Sequence, residues 1–182
     1  MHPIDIENTL KTLKIIIDSR EQDTEQARRR YAMFGCDYKR HKLDFGDYSC
    51  EFTLPSGKIV SLADKCVIER KFGLSELCMC YTRERGRFKR EFERAASKQA
   101  KTVLLIENAS WEAVYAGRYR SQMKPQALVA SMLAWLARYN CQLIFCKAET
   151  SGRLIFDVLY REAKERLERG DFDDTLSSQP MP

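Results

Sequence analysis

Three charged residues next to apolar segments are the strongest candidates for catalytic residues in this sequence. Glu69 and Lys71 follow the apolar pair of "VIERK", and Asp47 follows Gly46 in "FGDY". On a β-strand, residues i and i+2 point to the same face, so Glu69 and Lys71 would stand side by side. Two carboxylates with a neighbouring ammonium predict metal-assisted phosphodiester hydrolysis, in which the ion polarises a phosphoryl oxygen and activates water.

A second acidic segment, "IDSRE", adds candidates at the end of the first predicted strand. It places Asp18 and Arg20 on one strand face, with Glu21 beside them. Carboxylates that cluster repel one another unless a cation is present, and oxygen ligands suit Mg²⁺ or Mn²⁺. We therefore expect Asp47 and Glu69 to bind the metal, with Asp18 as a third ligand, direct or through water. Taken alone the pattern is weak, because solvated strand ends produce it by chance.

The bulk composition is that of one soluble globular domain. The chain has 182 residues, of which 44% are hydrophobic and 31% charged. Its longest apolar stretches are too short to span a membrane, and the first residues lack the pattern of a secretory signal. Seven scattered cysteines without a CxxC motif, and only two histidines, argue against a zinc site or a disulfide framework. We expect reduced thiols in a cytoplasmic protein (nuclear if eukaryotic) that is not secreted and contacts no membrane.

Basic charge is concentrated in one segment. The formal net charge is +5, and "RERGRFKREFERAASKQAK" at 83–101 is the most basic stretch. Its side chains would contact DNA phosphates if they face a common surface. The alternative is a solvated helix face with i,i+4 ion pairs. The residues predicted to bind DNA are Arg83, Arg85, Arg87, Lys89 and Arg90.

The elements that must position these residues follow from periodicity and turn signals. The predicted strands cover 13–18, a long hairpin at 43–71 with its turn at 55–57, and two buried segments at 101–107 and 141–147. The predicted helices cover 21–36, a segment from Leu74 to Ala95 that breaks at Gly86, and 110–117, 124–140 and 150–170. This order predicts an α/β fold with a mixed central β-sheet flanked by helices on both faces. Residues 1–170 form one domain, and 171–182 form a flexible acidic tail.

The segments "IDSRE", "FGDY" and "VIERK", in this order, resemble the nuclease domain of the XPF/Hef family of structure-specific endonucleases. The resemblance extends over roughly residues 13 to 168. It implies a restriction-endonuclease-like fold and metal-dependent cleavage of DNA at branched or flap structures. The family usually places an Asp-Leu pair shortly after E-R-K, whereas here "FGLSEL" supplies Glu76 and Leu77, one residue late, so the resemblance assigns no role to Glu76.

Each site residue receives a role under this hypothesis. Lys71 orients the attacking water or stabilises charge that develops on the phosphate. Arg20 and Arg70 hold the scissile phosphate or brace the carboxylates, and Glu21 supports the site from behind. A non-catalytic DNA-binding or dimerisation module of the same fold is the alternative from another class. A sequence-specific restriction-type nuclease is the second enzymatic alternative.

Assembly is predicted from two helices with unusually wide apolar faces. The segments 124–140 and 150–168 carry more apolar residues than one packing stripe requires. Members of the resembled family pair through their C-terminal helices and commonly carry a helix-hairpin-helix DNA-binding domain, for which this sequence has no room. We therefore expect a homodimer, or a heterodimer with a helix-hairpin-helix-bearing partner.

Overall fold

A seven-stranded mixed β-sheet forms the centre of the protein, in a computed structural model that describes residues 1–172. The order across the sheet is β2-β1-β3-β5-β6-β7, and β4 pairs with β3. β1 is parallel to β2 and antiparallel to β3, whereas β5, β6 and β7 are mutually parallel. The predicted mixed sheet is thus confirmed. The strands are β1 (Lys14–Asp18), β2 (Tyr38–His41), β3 (Tyr48–Thr53), β4 (Ile59–Ser61), β5 (Cys66–Lys71), β6 (Lys101–Glu107) and β7 (Cys141–Cys146).

Helices cover both faces of this sheet, as predicted. The helices are α1 (Pro3–Leu10), α2 (Glu25–Ala32), α3 (Leu74–Tyr81), α4 (Arg85–Ser97), α5 (Trp111–Tyr115), α6 (Pro125–Arg138) and α7 (Ala148–Glu168). α1, α2 and α7 bury one core, in which Ile155 and Leu159 pack with Ile15 and Ile17. α3, α4, α5 and α6 bury the other, which is centred on Trp135. The strand ends between these two layers are the places where charged side chains can reach solvent.

The predicted hairpin is only partly correct. β3 and β4 pair antiparallel with Glu51 opposite Ser61, but β4 ends after three residues. The chain then turns at 62–65 and rejoins β3 as β5, where the only register pair is Tyr48 with Ile68. Ser49 Oγ reinforces this narrow junction by donating a hydrogen bond to the Cys66 carbonyl at 2.8 Å. The sheet therefore has two well-paired halves that meet along one short border.

Several element boundaries differ from prediction for local reasons. α2 begins at Glu25 because Thr24 caps it, accepting a hydrogen bond from the Ala27 N–H at 3.1 Å. The predicted break of the helical segment is present, but it lies at 82–84 and not at Gly86: α3 ends at Tyr81, where Thr82 Oγ1 donates back to the Cys78 carbonyl, and α4 already contains Gly86. α1 and β2 were not predicted. β7 forms as expected, but it is a half-buried edge strand rather than a buried one.

The cysteines are free thiols, and four of the seven are buried. Burial raises the pKa of Cys66 and Cys80 to about 12, so neither is a reactive thiolate at neutral pH. Within residues 1–172, no helix is both long and apolar enough to cross a membrane. The predicted tail, from residue 173 onward, lies outside the described residues.

Candidate active site

One cleft at the carboxyl ends of β1 and β5 is lined by all of the predicted catalytic residues. Its volume is about 520 Å³. Six acidic and six basic side chains line it, so the cleft is electrically balanced by its own residues. The acidic residues are Asp18, Glu21, Asp47, Glu69, Glu76 and Glu91, and the basic residues are Arg20, Arg30, Arg70, Lys71, Arg87 and Arg94.

Asp47 lies immediately before β3 and joins the two halves of the sheet. Its backbone N–H donates to the Ile68 carbonyl at 2.8 Å, and its carbonyl accepts from the Asp18 N–H at 2.8 Å. Its Oδ2 accepts a hydrogen bond from the Arg70 N–H at 2.8 Å. Backbone contacts to β1 and β5 therefore fix both the position and the orientation of this carboxylate.

Gly46 makes this approach possible. Its φ is +72°, in the left-handed region that favours glycine, and a Cβ there would lie 2.7 Å from the Val67 Cβ. The bend predicted before Asp47 is thus present. No other residue type fits without displacing β5.

Glu69 and Lys71 share one face of β5, as their spacing predicts. Lys71 Nζ contacts Glu69 Oε1 at 2.6 Å, and both side chains are buried. Burial alone would lower the pKa of Lys71, but the charges of Glu69 and Asp47 raise it above its ordinary value. Lys71 therefore remains a cation at neutral pH. Glu76 is also near, with Oε1 3.7 Å from Lys71 Nζ.

Asp18 and Arg20 form a clamp at the end of β1. Arg20 Nε donates to Asp18 Oδ1 at 2.8 Å and Arg20 NH2 donates to Oδ2 at 2.9 Å. The Leu43 N–H also donates to Oδ2 at 2.8 Å. Burial works against ionisation of Asp18, but the hydrogen bonds from Arg20 and the backbone outweigh it and lower its pKa. Both Asp18 oxygens are thus already used by donors, and its side chain fits a bracing role better than that of a direct metal ligand.

A buried ion-pair network supports the cleft from the opposite face of β5. Arg70 Nε and NH2 donate to the two carboxylate oxygens of Glu107 at 2.9 and 2.7 Å. Arg30 Nε also donates to Glu107 Oε1, at 3.2 Å. Glu21 joins through Tyr48, whose hydroxyl donates to Glu21 Oε1 at 3.1 Å. Arg70 therefore braces the site through Glu107 and through its own N–H, with its Nε and NH2 both engaged by Glu107.

Asp47 and Glu69 carry the chemical character of a cation site. Burial, and then the charge of Glu69, raises the pKa of Asp47 well above its usual value, and burial raises that of Glu69. Their described contacts engage Oδ2 of Asp47 and Oε1 of Glu69, which makes the second oxygen of each the candidate ligand. Among residues 1–172, no three acidic, histidine or cysteine side chains are close enough to cage a metal. Two carboxylates still fit Mg²⁺, which keeps several waters and commonly completes its shell with substrate phosphate.

Comparison with known proteins bears on these residues directly. The family model of the ERCC4 domain matches residues 17–157, which include every candidate catalytic residue. The chain belongs to the ERCC4 domain family. Its resemblance to XPF-type nuclease domains is thereby confirmed. The assignment of individual residues to the site stays a prediction.

Solved structures share the fold of this ERCC4 domain at low sequence identity. XPF from Aeropyrum pernix matches with a TM-score of 0.60 and 18% identity, covering 87% of this chain and 69% of that one. XPF from Aeropyrum pernix in complex with DNA matches with a TM-score of 0.58 and 20% identity, covering 84% and 65%. No curated protein matches this sequence. The predicted restriction-endonuclease-like architecture of an XPF nuclease domain is thus confirmed.

Only some of the basic side chains of α4, the basic helix of the ERCC4 domain, line the cleft. Arg87 lines the cleft, as does Arg94, which the sequence analysis did not select. Arg83, Arg85, Lys89 and Arg90 are exposed and do not line it. Lys89 forms an i,i+4 ion pair with Glu93 at 3.1 Å. The DNA-binding role of those four residues stays a prediction.

Sequence reasoning missed the residues that support the site from behind. Glu107 ends the apolar strand "LLIE", the same signal that selected Asp18 and Glu69, and could have been found by it. Arg30 lies in a helix of ordinary charged composition, and nothing local distinguishes it from Arg28 or Arg29. Arg30 is the arginine that reaches Glu107 only because of the way α2 packs against the sheet.

Proposed function

We propose that this ERCC4 domain is a metal-dependent endonuclease that hydrolyses phosphodiester bonds in DNA at branched or flap structures. The observation that carries the proposal is the pair of carboxylates, Asp47 and Glu69, held beside the buried cation Lys71 in an open cleft. Asp47 and Glu69 would hold Mg²⁺ or Mn²⁺, which when bound activates water and polarises the phosphate.

The side chains of the cleft have separate tasks in this proposal. Lys71 stays protonated, which favours stabilisation of negative charge on the phosphate over removal of a proton from water. Asp18 and Arg20 brace each other beside Asp47, and Arg70 fixes Asp47 through its N–H. Arg87 and Arg94 line the cleft wall and would contact the DNA backbone.

The charge balance of the cleft makes metal and DNA binding interdependent. Six acidic and six basic side chains offer a polyanion little net attraction until a divalent ion adds positive charge. We therefore expect DNA to bind more tightly with the metal present. The preference for branched DNA rests on the family, and XPF from Aeropyrum pernix has been seen in complex with DNA.

A substrate panel tests the proposal. Flap, fork, duplex and single-stranded DNA should be incubated with the protein in Mg²⁺, Mn²⁺ and EDTA. We expect cleavage of the flap or fork with either metal, slower cleavage of plain duplex, and none in EDTA. Binding without cleavage under every condition would support the non-catalytic module instead. Cleavage of duplex only at one sequence would support the restriction-type alternative.

We also propose that the protein dimerises through the face formed by α6, β7 and α7. The structure buries Leu128 and Trp135 of α6, but Leu133 on the same helix is 48% exposed, and the edge strand β7 is only half-buried. Part of the wide apolar surface is thus internal, and part lies open, as at an interface. A homodimer, or a heterodimer with a helix-hairpin-helix-bearing partner, would cover it.

Light scattering at tens of micromolar protein tests the homodimer. We expect twice the monomer mass for the wild type and for the I59D variant, whose changed residue is exposed on β4. The L133D variant should have the monomer mass, because a buried unpaired carboxylate opposes association. A wild-type monomer that cleaves at full rate would contradict a required homodimer.

A further inference from the structure

A side pocket adjoins the active-site cleft on the α2 side of β5. Its volume is about 380 Å³, and its lining includes Gln26, Arg30, Met33, Phe72 and Ala148. Gln26, Arg30 and Phe72 line the main cleft as well, so the two spaces are direct neighbours. The side pocket therefore lies within reach of a substrate bound in the cleft.

Phe72 is the wall between the two spaces. It directly follows Lys71, and its side chain is 50% exposed. The Phe72 N–H donates a hydrogen bond to Glu76 Oε2 at 2.7 Å, which fixes the backbone at the end of β5. The Arg70 guanidinium lies 5.9 Å from the ring centroid, on the side of the buried ion-pair network. The backbone of Phe72 is thus held in place, while its aromatic ring is half exposed and lines the cleft.

The chemistry of the side pocket suits a flat neutral group better than a phosphate. Arg29 and Arg30 are balanced there by Glu107 and Glu149, so the pocket offers no excess of positive charge. Met33, Phe72 and Ala148 supply apolar surface, and Gln26 supplies an exposed amide that can both donate and accept. A nucleobase has these requirements: an aromatic face for stacking and polar edges for hydrogen bonds.

We propose that the side pocket receives one unpaired nucleobase next to the scissile phosphate, stacked on Phe72. The inference rests on the proposed nuclease function and specifies its substrate. A paired base enters only after losing its partner and its stacking, at a cost of about a few kcal/mol, whereas an unpaired base leaves the stack at little cost. The pocket would thus select DNA with an unpaired nucleotide at the cleavage point, and would tolerate any base identity because every base has a stacking face.

The test combines a change in the protein with a change in the DNA. The cleavage position on a forked substrate is first mapped with the wild-type chain and Mg²⁺. Abasic nucleotides are then placed one at a time at the three positions on either side, and binding is measured in Ca²⁺ by fluorescence anisotropy. At one position, removal of the base should weaken wild-type binding by about 5- to 150-fold, the range for one stacked base.

The Phe72→Ala variant should bind the intact fork as weakly as the wild type binds the abasic fork, and base removal should then have no further effect. The Phe72→Trp variant should keep the sensitivity to base removal. The Tyr115→Ala variant is the matched control, because Tyr115 is an exposed aromatic residue that lines neither space. It should behave as the wild type.

The outcomes separate this inference from the proposed function. If the wild type cleaves forks but base removal affects the wild type and the Phe72→Ala variant equally at every position, the side pocket does not hold a base. The nuclease function would then still stand. If the wild type neither binds nor cleaves any DNA, the proposed function and this inference both fall.

Discussion

Replacing Asp47 with asparagine or Glu69 with glutamine should abolish cleavage. We expect a loss of at least about a thousandfold in rate, because a bound divalent ion contributes several kcal/mol of transition-state stabilisation. Each change removes one of the two candidate metal ligands while keeping the size of the side chain. Single-turnover cleavage of a forked substrate at saturating enzyme measures the effect on the chemical step alone.

The free energy of unfolding of these variants distinguishes a loss of catalysis from a folding defect. Burial and the charge of Glu69 raise the pKa of Asp47, so this carboxyl destabilises the fold at neutral pH; the cost begins to shrink as the pH falls below that raised pKa and is gone once the pH is below the ordinary pKa of an aspartate in the unfolded chain. The D47N variant should therefore be at least as stable in EDTA as the wild type. The Asp44→Asn variant is the matched control: Asp44 is exposed, pairs with Lys98 at 2.9 Å and lies outside the cleft. Wild-type cleavage by D47N or E69Q would refute the ligand assignment.

Removing the Glu107 carboxylate should cause the largest loss of stability. The Glu107→Ala variant leaves the guanidinium groups of Arg30 and Arg70 buried without their shared partner. Breaking a buried ion pair from one side costs about 3–5 kcal/mol. We expect a decrease of that size in the free energy of unfolding, measured by urea denaturation.

A surface glutamate provides the comparison for this change. Glu165 forms an exposed i,i+4 pair with Arg161 at 3.8 Å, and the Glu165→Ala variant should lose less than about 0.5 kcal/mol. The Glu107→Ala variant should also cleave more slowly, because Arg70 positions Asp47 through its N–H. A stability loss as small as that of the control would mean that both arginines reach water once Glu107 is gone.

The parts of the site that are local in sequence could be predicted, and the parts that depend on distant contacts could not. Glu69 and Lys71 were found because strand geometry alone puts i and i+2 on one face, and the bend at Gly46 was recognised from residue type. The same spacing put Asp18 and Arg20 on one face, but it does not show that Arg20 occupies both oxygens of the Asp18 carboxylate. Arg30 and Glu107 are 77 positions apart, and only the completed fold brings them together.

The errors in the fold have the same origin. β2 has the sequence "YKRH", which has neither apolar alternation nor a hydrophobic run, and it becomes a strand only through pairing with β1. The apolar sequence of β7 predicted a buried strand, but its position at the edge of the sheet leaves it half-buried. Both cases show tertiary context overriding local pattern.

The narrow border between β3 and β5 separates the two candidate metal ligands. Asp47, with Asp18, belongs to the half built on β1 and β3, whereas Glu69, with Lys71, belongs to the half built on β5 to β7. Each half is held by several register pairs, whereas one register pair and three further hydrogen bonds, made by Ser49 and Asp47, cross the border to β5. The distance between the Asp47 and Glu69 carboxylates therefore depends on how the two halves of the sheet pack against each other. A sub-global opening at this border would separate the carboxylates while both halves keep their secondary structure, so the enzyme can lose activity without unfolding.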